Sequence, residues 1–199
     1  MEALDRYKTI KGTAAGLYKE KGSKFIARVV HVTTEEDAKS VITQIKNEYH
    51  DARHHCYAYR VNPENILFKS SDDGEPSGTA GKPILNQIYS NELFNVLVVV
   101  TRYFGGTKLG VSGLIRAYKT AASDALSNAE IVYEILTRRL RLHFNYPLMN
   151  NVMRIVKEEN LTVIRRDFAL DCSLEIEVEK SKKEKLEQRF SRIFGLTVS

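Results

Sequence analysis

Three groups of side chains in this 199-residue chain are of types that do chemistry. The first is basic. Arg102, Lys108 and Arg116 are interleaved with Gly105, Gly106, Gly110 and Gly113. A glycine-rich turn exposes backbone N–H groups, and a helix starting there adds the positive end of its dipole, so the corner suits an anion such as a backbone phosphate of RNA. His54 and Lys82 are further candidates for the same contact. The competing reading is that the glycines only allow a sharp turn and close helix–sheet packing. The second group is acidic: Asp72, Asp73 and Glu75 put three carboxylates into four positions. Such a cluster can hold Mg²⁺ through oxygen ligands and serve a metal-dependent hydrolase, although its spacing is not that of an EF-hand. It can equally pair with Arg102, Lys108 or Arg116 and lock the corner. The third group is His54, His55 and Cys56. Neighbours on a strand point to opposite faces, so the two histidines do not share one metal. His54 and Cys56 do share a face, but an apolar alternating run predicts a buried, inert thiol.

The elements that must position these groups are legible in outline. Val96 to Val100 is an unbroken apolar run and predicts a strand covered on both faces. Arg102 ends that strand, where a buried charge needs a partner. A helix follows with Leu114, Tyr118, Ala121, Ala122, Ala125 and Ala129 on its inner face. Upstream, residues 18–23 predict a hairpin turn, and Thr33 or Thr34 caps a helix whose face is Ala38, Val41, Ile42 and Ile45. His55–Val61 and Asn65–Lys69 predict a strand pair, residues 70–83 a loop, and Ile84–Tyr89 a short helix.

From about residue 133 the pattern changes. Leu136–Phe144 alternates, Pro147 opens a helix, Thr162–Leu170 and Cys172–Glu179 form a strand pair, Ser181 and Glu184 form a capping box, and Leu196–Val198 is a last strand. The order β-α-β-β-α-β predicts a ferredoxin-like unit. The chain therefore reads as α+β in two domains, 1–132 and 133–199. On the outer face of the second, Arg139, Arg141 and His143 are expected to pair across strands with Glu175, Glu177 and Glu179, which argues against a bare basic RNA platform.

Bulk properties exclude several classes. Apolar residues make up 43% and charged residues 28%, ordinary for a globular protein, and the net charge of +5 is compatible with a polyanionic partner without requiring one. The two cysteines, Cys56 and Cys172, lack zinc spacing and read as free thiols in a reducing compartment. No apolar run approaches the roughly 18 residues of a membrane span, and residues 1–10 do not read as a signal peptide, so a cytoplasmic protein is expected. Gly81-Lys82-Pro83 is not a P-loop, the glycines after Arg102 do not fit G-x-G-x-x-G, and no H-E-x-x-H or G-x-S-x-G occurs. No cofactor is expected.

Several blocks carry a resemblance. RYFGGTKLG (Arg102–Gly110) with GLIRAY (Gly113–Tyr118), DDGEPSGTAGKP (Asp72–Pro83), SKFIA from Ser23 and HHCYAYR from His54 resemble the signature of the IMPACT family, in its bacterial, two-domain YigZ-type form. The likeness spans residues 18–130, with the blocks in the family's order. It departs at Ser112, where a glycine is expected; serine fits only if φ is negative there. The resemblance implies a first domain like domain IV of elongation factor G and a second like its domain V. It also implies a non-catalytic role in regulating translation under stress, with RNA, the ribosome or another translation-associated protein as partner, no membrane and no DNA sequence specificity.

Overall fold

The computed structural model describes residues 5–168 and 171–199. Leu170, placed above at a strand end, lies outside them. The chain divides into two compact units, Tyr7–Glu134 and Ile135–Ser199, the second also taking in Asp5 and Arg6. The architecture is mixed α and β, and every strand pairing within its two larger sheets is antiparallel.

The sheet of the first unit is built around β6 (Val96–Tyr103). On one side lie β3 (Ser23–His31) and then β2 (Thr13–Glu20); on the other lie β4 (His54–Val61) and then β5 (Leu67–Ser71). The apolar run of β6 is explained by cover on both faces. Val96, Val98 and Val100 pack with Ile84 and Ile88 of α2 (Gly81–Ser90) and with Leu114, Ala121 and Ala125 of α3 (Gly110–Ser127). Leu97 and Val99 pack with Ala38, Ile42 and Ile45 of α1 (Glu35–Glu48). Each buried Val, Leu or Ile among them contributes roughly 1.5–3 kcal/mol by leaving water. Thr34 caps α1 reciprocally with Asp37, as its local sequence predicts.

Three boundaries differ from expectation. The strand β6 runs on to Tyr103, and α3 begins at Gly110, ahead of its first buried stripe. Helix α2 begins at Gly81 rather than Ile84 because the Asp72 carboxylate accepts the N–H groups of Gly78, Ala80 and Gly81, each at 2.9 Å. This supplies from a distance the cap that Ala80 cannot provide. There is also an addition: β1 (Arg6–Lys11) pairs with β7 (Glu130–Ile135) in a separate two-stranded sheet, a long-range pairing with no local signal.

In the second unit β8 (Thr137–Asn145), α4 (Met149–Glu158), β9 (Thr162–Phe168), β10 (Asp171–Glu179), α5 (Lys183–Ser191) and β11 (Thr197–Val198) follow in order. The sheet order is β11-β8-β10-β9. Leu140, Leu142 and Phe144 of β8 bury with Leu174, Ile176 and Val178 of β10 against Val152, Ile155, Leu186 and Phe190 of the helices. The outer faces pair nearly as expected. Arg139 and Arg141 both converge on Glu175, at 3.6 and 3.7 Å, while His143 stands opposite Ser173. The predicted Ser181–Glu184 capping box does not form. A 3₁₀ turn at Lys180–Lys182 precedes α5, and the Ser181 N–H donates instead to the Asp5 carboxylate at 2.5 Å.

Candidate anion-binding site

Period-two alternation along β6 carries Arg102 onto the same face as Val98 and Val100, pointing between the sheet and α3. Its guanidinium is therefore buried, and its partner is Glu75: Nη1 donates to Oε1 at 2.6 Å, with the two side chains only 7% and 4% exposed. The Tyr118 hydroxyl donates to the same oxygen at 2.7 Å. Rings of Phe25 and Phe104 lie 5.4 and 5.6 Å from the guanidinium carbon. This is a desolvated charge pair whose members depend on each other, since either alone would be an uncompensated buried ion. Of the pairings expected between the acidic block and Arg102, Lys108 or Arg116, Arg102–Glu75 is the one that forms among the described residues. Asp72 caps α2, Asp73 binds Lys46 at 2.9 Å, and Arg116 binds Glu20 instead.

Burial works against ionisation of Asp72, but its three backbone N–H donors outweigh it and hold the carboxyl below the usual carboxylate range. Asp73 is likewise held low against the effect of burial, by Lys46 and by the His55 N–H at 2.7 Å. The three carboxylates thus face three separate sets of partners and do not converge on one point. Among the described residues no group of three or more His, Cys, Asp or Glu side chains is placed to hold a metal. Cys56 donates to the Asp72 carbonyl at 2.9 Å, and burial pushes its thiol up to about 12, the opposite of the lowering that activates a thiolate.

What remains open is a cleft of about 870 Å³ beside this lock. The start of α3 forms one wall with Gly110, Val111 and Leu114; residues 51–54 and 102–104 form others, and Lys108 stands at its edge. The first turn of α3 has no side-chain cap and no acidic residue, so its N–H groups are free for an outside acceptor. Arg53 and Lys108 are exposed and have no carboxylate partner among the described residues. Of the two acids that line the cleft, Glu75 is neutralised by Arg102, while Asp51 accepts from the Tyr103 hydroxyl at 2.6 Å and keeps its charge, so one carboxylate stands against the two cations Arg53 and Lys108. His54 contributes a ring of fixed tautomer. Its Nδ1 lies 2.9 Å from the Asp73 carbonyl, which can only accept, so Nδ1 carries the proton and Nε2 is left for a ligand.

The fold brings Arg102, Lys108, Gly110 and His54 to one cleft. Other predicted residues lie elsewhere. Lys82 lines a separate hollow with Gln87 and Lys119. Arg116 is tied to Glu20. Gly105 serves packing: a Cβ there would fall 1.9 Å from the Gly22 carbonyl carbon. Gly106, at φ +87°, sets the turn. Ser112 sits inside α3 and is not among the positive-φ residues, so the missing glycine leaves the turn intact. Sequence reasoning did not single out Arg53 as an anion contact, nor Asp51, Tyr103 and Phe104 as cleft walls. The adjacency of Arg53 and His54 was the one available signal.

Comparison with known proteins identifies the family. The Impact N-terminal domain family matches residues 21–126, more than half of the chain. The Bacillus subtilis protein YvyE, an IMPACT family member, is 34% identical over 90% of this chain and 82% of its own length. A crystal structure of a hypothetical protein is 26% identical and covers 100% of this chain and 97% of that one, with a TM-score of 0.74. The structure of Yih1, described as a two-domain translational regulator, covers 60% of this chain and 48% of its own at 29% identity, with a TM-score of 0.42. With a family match over the blocks that build the cleft and a relative aligned along most of both lengths, this chain belongs to the IMPACT family.

Proposed function

We propose that the chain is a non-catalytic, translation-regulatory protein of the cytoplasm that binds RNA or the ribosome by seating a phosphate at the start of α3. One observation carries this reading. The uncapped helix terminus opens onto a cleft where Arg53 and Lys108 have no carboxylate partner among the described residues, Glu75 is neutralised by Arg102, and Asp51 is the one remaining charged acid in the lining. Helix N–H groups and unpaired cations together favour an anion. Family membership supports the translational role, and a stress-linked role follows from the same resemblance. For the second unit, the strand order fourth-first-third-second supports a ferredoxin-like path. Its paired Arg139, Arg141 and Glu175 leave the first unit as the better phosphate contact. For the first unit, likeness to domain IV of elongation factor G rests on the family alone.

The test is salt-dependent binding to purified ribosomes and to structured RNA. Log affinity falls with log salt, at a slope of about −0.7 to −0.9 per phosphate contact. Lys108→Ala and Arg53→Ala each flatten that slope by about one contact, whereas Lys182→Ala in the second unit leaves it unchanged. Absence of binding at low salt, or slopes indifferent to Lys108 and Arg53, would falsify this reading.

A further inference from the structure

The cleft has more than an anion corner. Its volume of about 870 Å³ lies in the range of sites that enclose a small molecule, and is larger than one phosphate needs. Its lining is chemically mixed. Lys108, Arg53 and the N–H groups of the first turn of α3 are polar; Phe104, 56% exposed, Pro76, Leu109 and Val111 are apolar. Arg102 lines the same cleft, is 94% buried and is paired with Glu75, so it closes the floor of the site beside Phe104. His54 holds its Nδ1–H on the Asp73 carbonyl and so leaves Nε2 for a ligand, where a ribose hydroxyl can bond to it as donor or as acceptor. Together these are a phosphate seat, a flat apolar face and a partner for a hydroxyl in one concave site.

We propose that the cleft takes one phosphorylated ribonucleoside, with the phosphate at the start of α3, the base against Phe104 and a ribose hydroxyl toward His54. Such a ligand is either a free nucleoside monophosphate or the phosphorylated end of an RNA strand. A continuous duplex backbone presents no exposed base face to Phe104 and does not use the apolar part of the lining. The proposal rests on the reading of this cleft as an anion site and specifies what fills it.

Calorimetric titration of the full chain tests it with AMP, adenosine, inorganic phosphate and dAMP, and with a hexaribonucleotide carrying either a 5′-phosphate or a 5′-hydroxyl. AMP binds at least about tenfold more tightly than adenosine or inorganic phosphate, since stacking and charge act together. Phe104→Ala lowers AMP affinity by about tenfold and leaves phosphate affinity unchanged. Val111→Glu places a like charge beside the phosphate and lowers AMP affinity more than about tenfold. An acid in the first turn supports the helix, so that variant keeps its melting temperature and the loss is not unfolding. Preference for AMP over the 5′-phosphorylated strand identifies a free nucleotide as the ligand; the reverse identifies a strand end. Phosphate binding as tightly as AMP, or Phe104→Ala leaving AMP affinity unchanged, overturns the proposal. If AMP and the 5′-phosphorylated strand both fail to bind while ribosomes still bind through Lys108, this inference falls and the broader function stands. If ribosomes fail as well, both fall.

Discussion

The Arg102–Glu75 pair should behave as a single unit whose halves cannot be separated. Glu75→Gln keeps the shape and an oxygen for the Tyr118 hydroxyl, and removes only the charge. The guanidinium is left about nine-tenths buried between Phe25 and Phe104 with a neutral amide in place of its counter-ion. Breaking a buried pair in this way costs about 3–5 kcal/mol. Adding Arg102→Met removes the orphaned charge and fills the space with apolar volume. Replacing both members of a buried pair is often close to neutral, so the double variant should recover most of that loss. Urea unfolding of the full chain measures this. Hydrogen exchange at the amides of β6 assigns the transition to the first unit, which is needed because a chain with two compact units need not unfold in one step. If Glu75→Gln costs less than about 1 kcal/mol, the pair is not the desolvated lock described here. The same conclusion holds if the two substitutions destabilise additively, since coupled partners must deviate from additivity.

The remaining predictions concern the surroundings of the cleft. Gly105→Ala forces a Cβ into the Gly22 backbone and should cost roughly 3 kcal/mol or more, whereas Gly106→Ala has open space and should cost only the roughly 1–2 kcal/mol of a left-handed residue; thermal melts separate the two. Asp72 and Asp73 titrate below their ordinary value of 3.8 in the folded chain, so their contribution is present above about pH 4 and is lost as pH falls through their lower folded values. Asp72→Asn should be less stable at neutral pH and should lose less stability than the parent on acidification, as read from urea midpoints. Cys56, with its thiol pushed up to about 12 and no exposed surface, should resist alkylation in the native chain and react fully once unfolded, as mass spectrometry after brief iodoacetamide treatment would show.

The features legible in the sequence were those set by near neighbours. Val96–Val100 announced a strand covered on both faces because continuous burial leaves an unbroken apolar run. Thr34 and Asp37 announced a helix start because a capping box closes within four residues. Alternation in Leu140, Leu142 and Phe144 revealed a one-sided strand. What stayed hidden depends on chain folding back from far away. Asp72 caps a helix nine residues on, and Ser181 gives its N–H to Asp5 rather than to its own helix. Neither choice leaves a periodic trace. The acidic block showed that partners for Arg102 were close in sequence, but only the tertiary path decides that Glu75 is taken and Asp72 and Asp73 are not. Phe104 and Arg53 come from different segments, and nothing in either segment reports that they line the same cleft.

Phosphate binding in the cleft depends on the backbone amides at the start of α3. Amide chemical shifts of the isotope-labelled full chain, recorded during addition of a 5′-phosphorylated oligoribonucleotide, test this directly. Gly110, Val111 and Ser112 should move first and saturate together, and the shifts should disappear at high salt. Movement confined to β8 and β10, or shifts scattered over basic surface residues with α3 silent, would contradict it.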